Sequence, residues 1–356
     1  MTNNSSDDGS PTGRRGLTYE QAGVSIAAQD KAIELIKPLA AATYTPNVLA
    51  GVGAFGAAFK ANFDEYTDPV LVSSTDGVGT KVKLAARFDA WENAGRDLVG
   101  VSVNDIITTG AAPLFFLDYI ACNKLNPRIV ERIVSGIKEG CLECGCALLG
   151  GELAEMGDVY AEGEFDLAGF VVGVVDRPYM VDGSTVVPGD VVLGLTSNGI
   201  HANGLTLVRR VFEGLGDAEW LSFNSRLGHS LADEVTRPMA IYHRHLQELR
   251  DAEVEIKAIA HISGGGLPGN AARMIAPGLD IHIHRAAITV QPIFDLIAEH
   301  GGVADEEMWR TFNMGIGMTI IVSPEQADAA QETLGESLGL QRIGEIAPGD
   351  GKVVLY

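Results

Sequence analysis

Short apolar runs alternate with segments of helical period along this chain of 356 residues, but not in the strict strand–helix–strand repeat that a doubly wound parallel sheet requires. In the first half they read as strand 70–74, helix 94–110, strand 115–121, helix 127–143, strand 146–151 and strand 166–175, preceded by a helix over 28–42 that Pro38 kinks or stops. Pro178 and the turn-rich stretch "VDGSTVVPGD" then interrupt the pattern. Beyond them come strands 191–196, 256–261, 279–284, 317–322, 341–346 and 352–356, with helices over 203–213, 229–250, 267–275, 292–300, 304–311 and 324–335. The expectation is an α+β fold in two domains, residues 17–180 and 181–356, since the length exceeds that of most single cores.

Composition narrows the function. A net charge of −21 argues against a groove that tracks nucleic-acid phosphates, which needs clustered Lys and Arg. A phosphate-ester substrate would instead need divalent cations or local basic residues, a first hint of Mg²⁺. Residues 1–16 are polar and glycine-bearing and read as a disordered tail, and no apolar run approaches the length of a bilayer span, so a cytoplasmic protein without membrane partners is expected. Cys141, Cys144 and Cys146 with Cys122 upstream suggest a metal site at first sight. Their place on an apolar helical face and a following strand favours core thiols.

One stretch asks for chemistry. After the apolar run Val70–Val72, "SSTDGVGTK" closes a strand with Asp76, Gly77, Gly79, Thr80 and Lys81. Asp-Gly is also an ordinary turn signal, in which case Lys81 is a solvated residue. On the functional reading the glycines admit an anionic ligand whose charge Lys81 and a carboxylate-bound metal offset. The spacing is not that of a Walker loop. Upstream, "AGVGAFGAAF" places Gly51, Gly53 and Gly56 in a segment unfit for a helix: a plain linker or a loop ordered by ligand. Asn104 and Asp105 on a helix and Glu152 at a strand end complete, with Asp76, an oxygen-ligand set suited to Mg²⁺. In the second half "SNGIHANG" and "AHISGGGLPGN" each set a histidine, His201 and His261, beside glycines, and "TFNMGIGM" adds Asn313. Satisfied loop histidines are the plain alternative to proton transfer and phosphate binding.

Seven segments occur in an order that resembles the phosphoribosylformylglycinamidine cyclo-ligase (aminoimidazole ribonucleotide synthetase) family: "TDGVGTK" (75–81), "VNDI" (103–106), "GAAPLFFLDY" (110–119), "GGELAEM" (150–156), "SNGIHANGLTLVR" (197–209), "AHISGGGL" (260–267) and "FNMGIGM" (312–318). The resemblance covers essentially residues 17–356. It implies a ferredoxin-like N-terminal half that pairs its sheet in a homodimer, an α/β C-terminal half, and an ATP- and Mg²⁺-dependent ring closure of formylglycinamidine ribonucleotide in purine synthesis. Carried over, Gly51, Gly53, Gly56, Asp76, Gly77, Gly79, Thr80, Lys81, Asn104 and Asp105 would bind ATP, and Asp76, Asp105 and Glu152 would hold metal. Ser197, Asn198, His201, Asn203, Gly264, Gly265, Gly266 and Asn313 would contact substrate, with His201, His261 and Lys81 catalytic.

The chain departs from the family pattern at Ala50, Ala54, Leu153 and Gly157–Asp158. Leu153 lacks the hydroxyl usual there, which removes that side chain as a ligand contact. Rival readings are another phosphoryl transferase of the same superfamily, for which no terminal cysteine chemistry is present, or a nucleotide-sensing scaffold without turnover.

Overall fold

The computed structural model describes residues 18–335 and 339–356, so the tail expected over 1–16 lies outside the described residues. The first half contains α1 (Ile26–Ala41), β1 (Val48–Ala50), β2 (Ala58–Phe59), β3 (Pro69–Gly77), α2 (Lys81–Arg87), α3 (Trp91–Ile106), β4 (Ala112–Cys122), α4 (Pro127–Cys144), β5 (Ala147–Glu155) and β6 (Phe165–Asp176). Local chemistry sets the ends of α4. Asn126 accepts the Arg128 N–H, Pro127 fills the first helical position, and Gly145 closes the helix in the left-handed region at φ 68°. Pro38 lies inside α1, which runs on to Ala41 rather than stopping early.

The strands of the first sheet lie in the order β3-β6-β4-β5; β4 and β5 are parallel, joined through α4, and the other pairs are antiparallel. This strand–helix–strand–helix–strand–strand succession differs from the βαββαβ order of a ferredoxin-like unit, because the chain returns over α4 before β5 and inserts β6 last between β3 and β4. One face of the sheet buries Phe116, Ile120, Leu167 and Val171 beneath α3 and α4. The two helices touch backbone to backbone. A Cβ on Gly95 would stand 1.9 Å from the Ile133 carbonyl oxygen, and one on Gly136 would stand 1.8 Å from that of Glu92. The opposite sheet face carries Leu71 at 59% and Phe170 at 43% exposure, so a single chain leaves it open to water.

The second half contains β7 (Val191–Thr196), α5 (Leu205–Val211), α6 (Asp217–Leu221), β8 (Phe223–Asn224), β9 (His229–Ser230), α7 (Leu231–Thr236), α8 (His243–Asp251), β10 (Ile256–His261), α9 (Gly266–Ala271), β11 (Leu279–Ile283), α10 (Pro292–Gly301), α11 (Asp305–Thr311), β12 (Ile316–Val322), α12 (Pro324–Leu334), β13 (Gln341–Pro348) and β14 (Val353–Leu355). Its main sheet runs β10-β12-β7-β13-β11-β14, and only β11 and β14 are parallel. The α/β label therefore gives way to α+β here as well, because nearly every ladder is antiparallel. Leu193, Leu195, Ile320 and Leu246 join the hydrophobic core that begins under α3 and α4, so apolar packing is continuous across the two halves. All four cysteines are free and buried, as core thiols.

Polar contacts reinforce that junction at one place. Between α7 and α8 the chain Arg237–Tyr242 has no regular structure, and side chains take over its backbone groups. Lys81 Nζ donates to the Arg237 carbonyl at 2.7 Å, Arg96 to that of Met239 at 2.7 Å and Asn93 to that of Thr236 at 2.9 Å. Asp97 accepts the Met239 N–H at 2.6 Å, and Asn104 accepts the Tyr242 N–H while donating to the Ala240 carbonyl. Lys81 is only 1% exposed and forms an ion pair with the fully buried Asp97 at 2.6 Å. Removing one member leaves a buried charge without a partner. Lys81→Met should therefore cost about 3–5 kcal/mol in denaturant unfolding, and Asp97→Leu added to it should recover part of that loss. Wild-type stability of the single variant would contradict this role.

Candidate functional site

Asp105 ends α3 opposite the last residue of β10, and there the halves meet in chemistry rather than packing. Asp105 Oδ1 lies 2.8 Å from His261 Nδ1, and its other oxygen accepts from Ser74 Oγ at 3.2 Å. A carboxylate only accepts, so Nδ1 carries the proton and Nε2 is the basic nitrogen. That Nε2 is buried without a partner. Asp76, near the end of β3, completes the group. Burial first, and the neighbouring charge of Asp105 as well, push its carboxyl above the usual range, against the pull of the Gly77 N–H and His261. Two carboxylates held this close favour a cation beside them.

His201 stands close by in the "SNGIHANG" turn, at φ 65° and with both ring nitrogens buried and unpartnered. Burial, helped by the neighbouring His261 and Lys81, holds it well below the usual histidine range, so it is neutral at physiological pH. Thr80 Oγ1 meets Thr206 Oγ1 at 2.8 Å and ties the glycine turn of β3 to the start of α5. A cavity of about 410 Å³ opens beside Asp105, His261, Ser74, Ser263, Asn270 and Arg273. A second, of about 730 Å³, lies behind the glycine-rich loop and includes Gly51, Gly53, Asp118 and Glu152. A third, of about 1110 Å³, lies between the segment after β6 and α8 and holds none of the expected site residues.

Several expectations are corrected. Glu152 does not join Asp76 and Asp105: its ladder partner Tyr119 places it on the open sheet face, whereas Asp76 pairs with Gly169 on the helix-covered face. Three strand spacings, roughly 14 Å, also separate β3 from β5. Among the described residues no group of three His, Cys, Asp or Glu is arranged to hold a metal. Lys81 and Asn104 are not turned toward a nucleotide, because the Arg237–Tyr242 segment and Asp97 engage them. Ser197 Oγ donates to Asn313 Oδ1 at 2.9 Å, Asn313 Nδ2 donates to the Gly199 carbonyl, and Asn198 donates to that of Pro238, so these three shape the histidine turn from within. Asn203 lies exposed enough to contact a ligand, next to Gly264. The sequence reading passed over Asn270, whose Nδ2 gathers the carbonyls of Ser263, Gly264 and Gly266 and so shapes the Gly264–Gly266 loop. It also passed over Asp118, although a carboxylate inside the apolar strand "PLFFLDYI" was a visible signal.

Residues 60–175 match the family described as AIR synthase related protein, N-terminal domain, and residues 187–356 match its C-terminal domain. The chain belongs to the AIR synthase family. Among curated relatives, the phosphoribosylformylglycinamidine cyclo-ligase of Bordetella petrii is 49% identical over 94% of this chain and 96% of its own. That of Burkholderia cenocepacia is 50% identical over 89% of each. Solved structures of similar fold include thiamine-monophosphate kinase from Stenotrophomonas maltophilia, with TM-score 0.67 and 18% identity over 90% of this chain and 95% of that one. The hydrogenase maturation protein HypE in complex with ATP gives TM-score 0.64 at 17% identity, over 89% of this chain and 88% of that one.

Asp118 carries a measurable signature. Burial pushes its carboxyl up to about 7 from an ordinary 3.8. Between those values the folded chain keeps a proton that the unfolded chain has released, so this group's contribution to stability is full at low pH and is lost as pH rises through about 7. Thermal melts across that window should fall less steeply for Asp118→Asn than for the wild type. Equal slopes would show that Asp118 does not titrate there.

Proposed function

We propose that this chain closes the imidazole ring of 5-aminoimidazole ribonucleotide from formylglycinamidine ribonucleotide, consuming ATP and releasing ADP and phosphate, in the purine (IMP) pathway. The observation that carries the reading is the roughly half-identical match, over about nine-tenths of the chain, to relatives named phosphoribosylformylglycinamidine cyclo-ligase. The contacts at the junction support it: Thr80, after the glycine turn of β3, meets Thr206, and Asp105 meets His261, so both halves contribute polar groups there.

In this mechanism the formyl amide oxygen attacks the γ-phosphorus of ATP and ADP leaves. The amidine nitrogen then adds to the activated carbon of the same molecule, a ring closure that needs only proximity, and the phosphorylated oxygen departs as inorganic phosphate. His261, its Nδ1–H held by Asp105, presents Nε2 to accept the proton that the attacking nitrogen gives up. His201, neutral and buried beside it, excludes water from the reacting atoms and offers a hydrogen bond without charge. Asn203 and the Gly264–Gly266 loop face the substrate, and Gly51, Gly53, Gly56, Gly77, Gly79 and Thr80 the nucleotide. Asp76 and Asp105 fit a Mg²⁺ ion brought with ATP, since their mutual repulsion is relieved by a cation. When bound, that ion supplies charge neutralisation for the phosphates.

The subunit works in the cytoplasm as a homodimer in which the open sheet faces meet, covering Leu71 and Phe170. Among the described residues no helix is long and apolar enough to cross a membrane. Light scattering over a dilution series should give twice the chain mass at every concentration that supports turnover, and Leu71→Lys with Phe170→Lys should yield a monomer. An active wild-type monomer would refute the pairing.

The chemistry is tested by isotope transfer. With ¹⁸O in the formyl group, the label must appear in the released inorganic phosphate. A kinase would leave it in a phosphorylated product, and a scaffold would release none. Ring closure with unlabelled phosphate would sink the mechanism.

A further inference from the structure

The cavity behind the glycine-rich loop has a composition that selects its occupant. Ile33, Ile36, Val52, Leu117 and Leu148 give it apolar walls, and its volume of about 730 Å³ exceeds what a purine ring requires. No Lys, Arg or His is among its lining residues, while Asp118 and Glu152 both are. A phosphate would therefore be repelled inside it, which favours a neutral occupant. Lys37 stands beside the loop at the cavity mouth, its Nζ 3.3 Å from where a Cβ on Gly53 would be.

Asp118 is the buried one among the polar side chains that line this cavity; Gln29, Tyr119 and Glu152 are more exposed. It is 8% exposed, on the helix-covered face of β4, and among the described residues no other side chain or distant backbone group hydrogen-bonds its carboxyl. Its neighbours in the ladder are Gly151 and Gly169. A Cβ on Gly151 would stand 2.3 Å from Asp118 Oδ1, so the glycine there keeps space for the carboxyl and for a partner beside it. A buried carboxyl without a partner is costly, and the chain recovers that cost only when a ligand supplies a donor and an acceptor.

We propose that Asp118 anchors the base of the nucleotide, taking the exocyclic amino group of adenine on its carbonyl oxygen and donating its proton to the adjacent ring nitrogen. This rests on ATP being the co-substrate. Burial holds the carboxyl up at about 7, so near neutrality a large share of the free protein carries the required proton. The neutral carboxyl then has the same donor–acceptor pair as the amide of Asn, the side chain that commonly reads adenine's edge. The triphosphate leaves through the mouth along Gly51 and Gly53.

Binding of ATP and of purine riboside 5′-triphosphate, which lacks the amino group, is measured by calorimetry on the full chain, alongside turnover of ATP in the same preparation. The wild type should favour ATP by roughly tenfold to a hundredfold. Asp118→Leu, bulkier than Asp but without hydrogen-bonding atoms and suited to the apolar walls, should abolish that preference. Asp118→Asn should keep it. Equal binding of the two nucleotides by the wild type, a preference that survives in Asp118→Leu, or its loss in Asp118→Asn would each overturn the assignment. Absence of ATP turnover in the wild type would instead strike at the proposed function.

Discussion

The buried pair of Lys81 and Asp97 is the constraint on which the rest of this molecule turns. It lies in the first half, yet both members spend their remaining hydrogen bonds on Arg237 and Met239 of the second. Neither charge is tolerable in that interior alone, and neither backbone group would be satisfied without them. The pair thus acts as a peg that fixes the orientation of the two sheets. Asn104 extends the arrangement by two helical turns of α3, and Asp105, the next residue, is turned about 100° round the helix to meet His261. Two adjacent residues of one helix therefore divide the work: one holds the halves together, and the other bridges them with chemistry.

Much of this architecture was legible in the sequence because apolar periodicity reports burial directly. Strands 191–196 and 256–261 coincide with β7 and β10, and helix 127–143 with all but the last residue of α4. What escaped is equally instructive. The short helix α2 begins at Lys81 itself, so a residue that looked like the end of a phosphate turn is carried inward by helical geometry. The segment Arg237–Tyr242 fell within a helix expected over 229–250, since Met239, Ile241 and Tyr242 are apolar and buried at nearly helical spacing. Periodicity records that these side chains are inside, but not that an extended backbone delivers them.

The site was legible as a set of residues and less so as a geometry. Asp76, Asp105 and His261 were each singled out and do converge. Glu152 was grouped with them on residue type, and only strand order and the alternation of faces separate it from them. Ser197, Asn198 and Asn313 belong to the motifs that carry the family resemblance, yet their amides and hydroxyl build the turn that holds His201 at a positive φ. A motif residue can therefore serve the site by shaping its backbone.

The segment between α7 and α8 also has a history within each molecule. Its partners lie far upstream: Lys81 bonds across 156 positions and Asn104 across 138. A ribosome therefore finishes the first half long before the segment that completes it exists. Until Arg237 to Tyr242 emerge, an apolar layer interrupted by an amine, a carboxylate and amides waits as an open slot. During synthesis that slot is exposed to any extended peptide with free backbone groups, the chain's own unfolded segments included. Closure depends on contacts of high sequence separation, which form slowly. The same hydrogen bonds that hold the finished enzyme rigid thus set the interval in which the nascent one is most open to wrong partners.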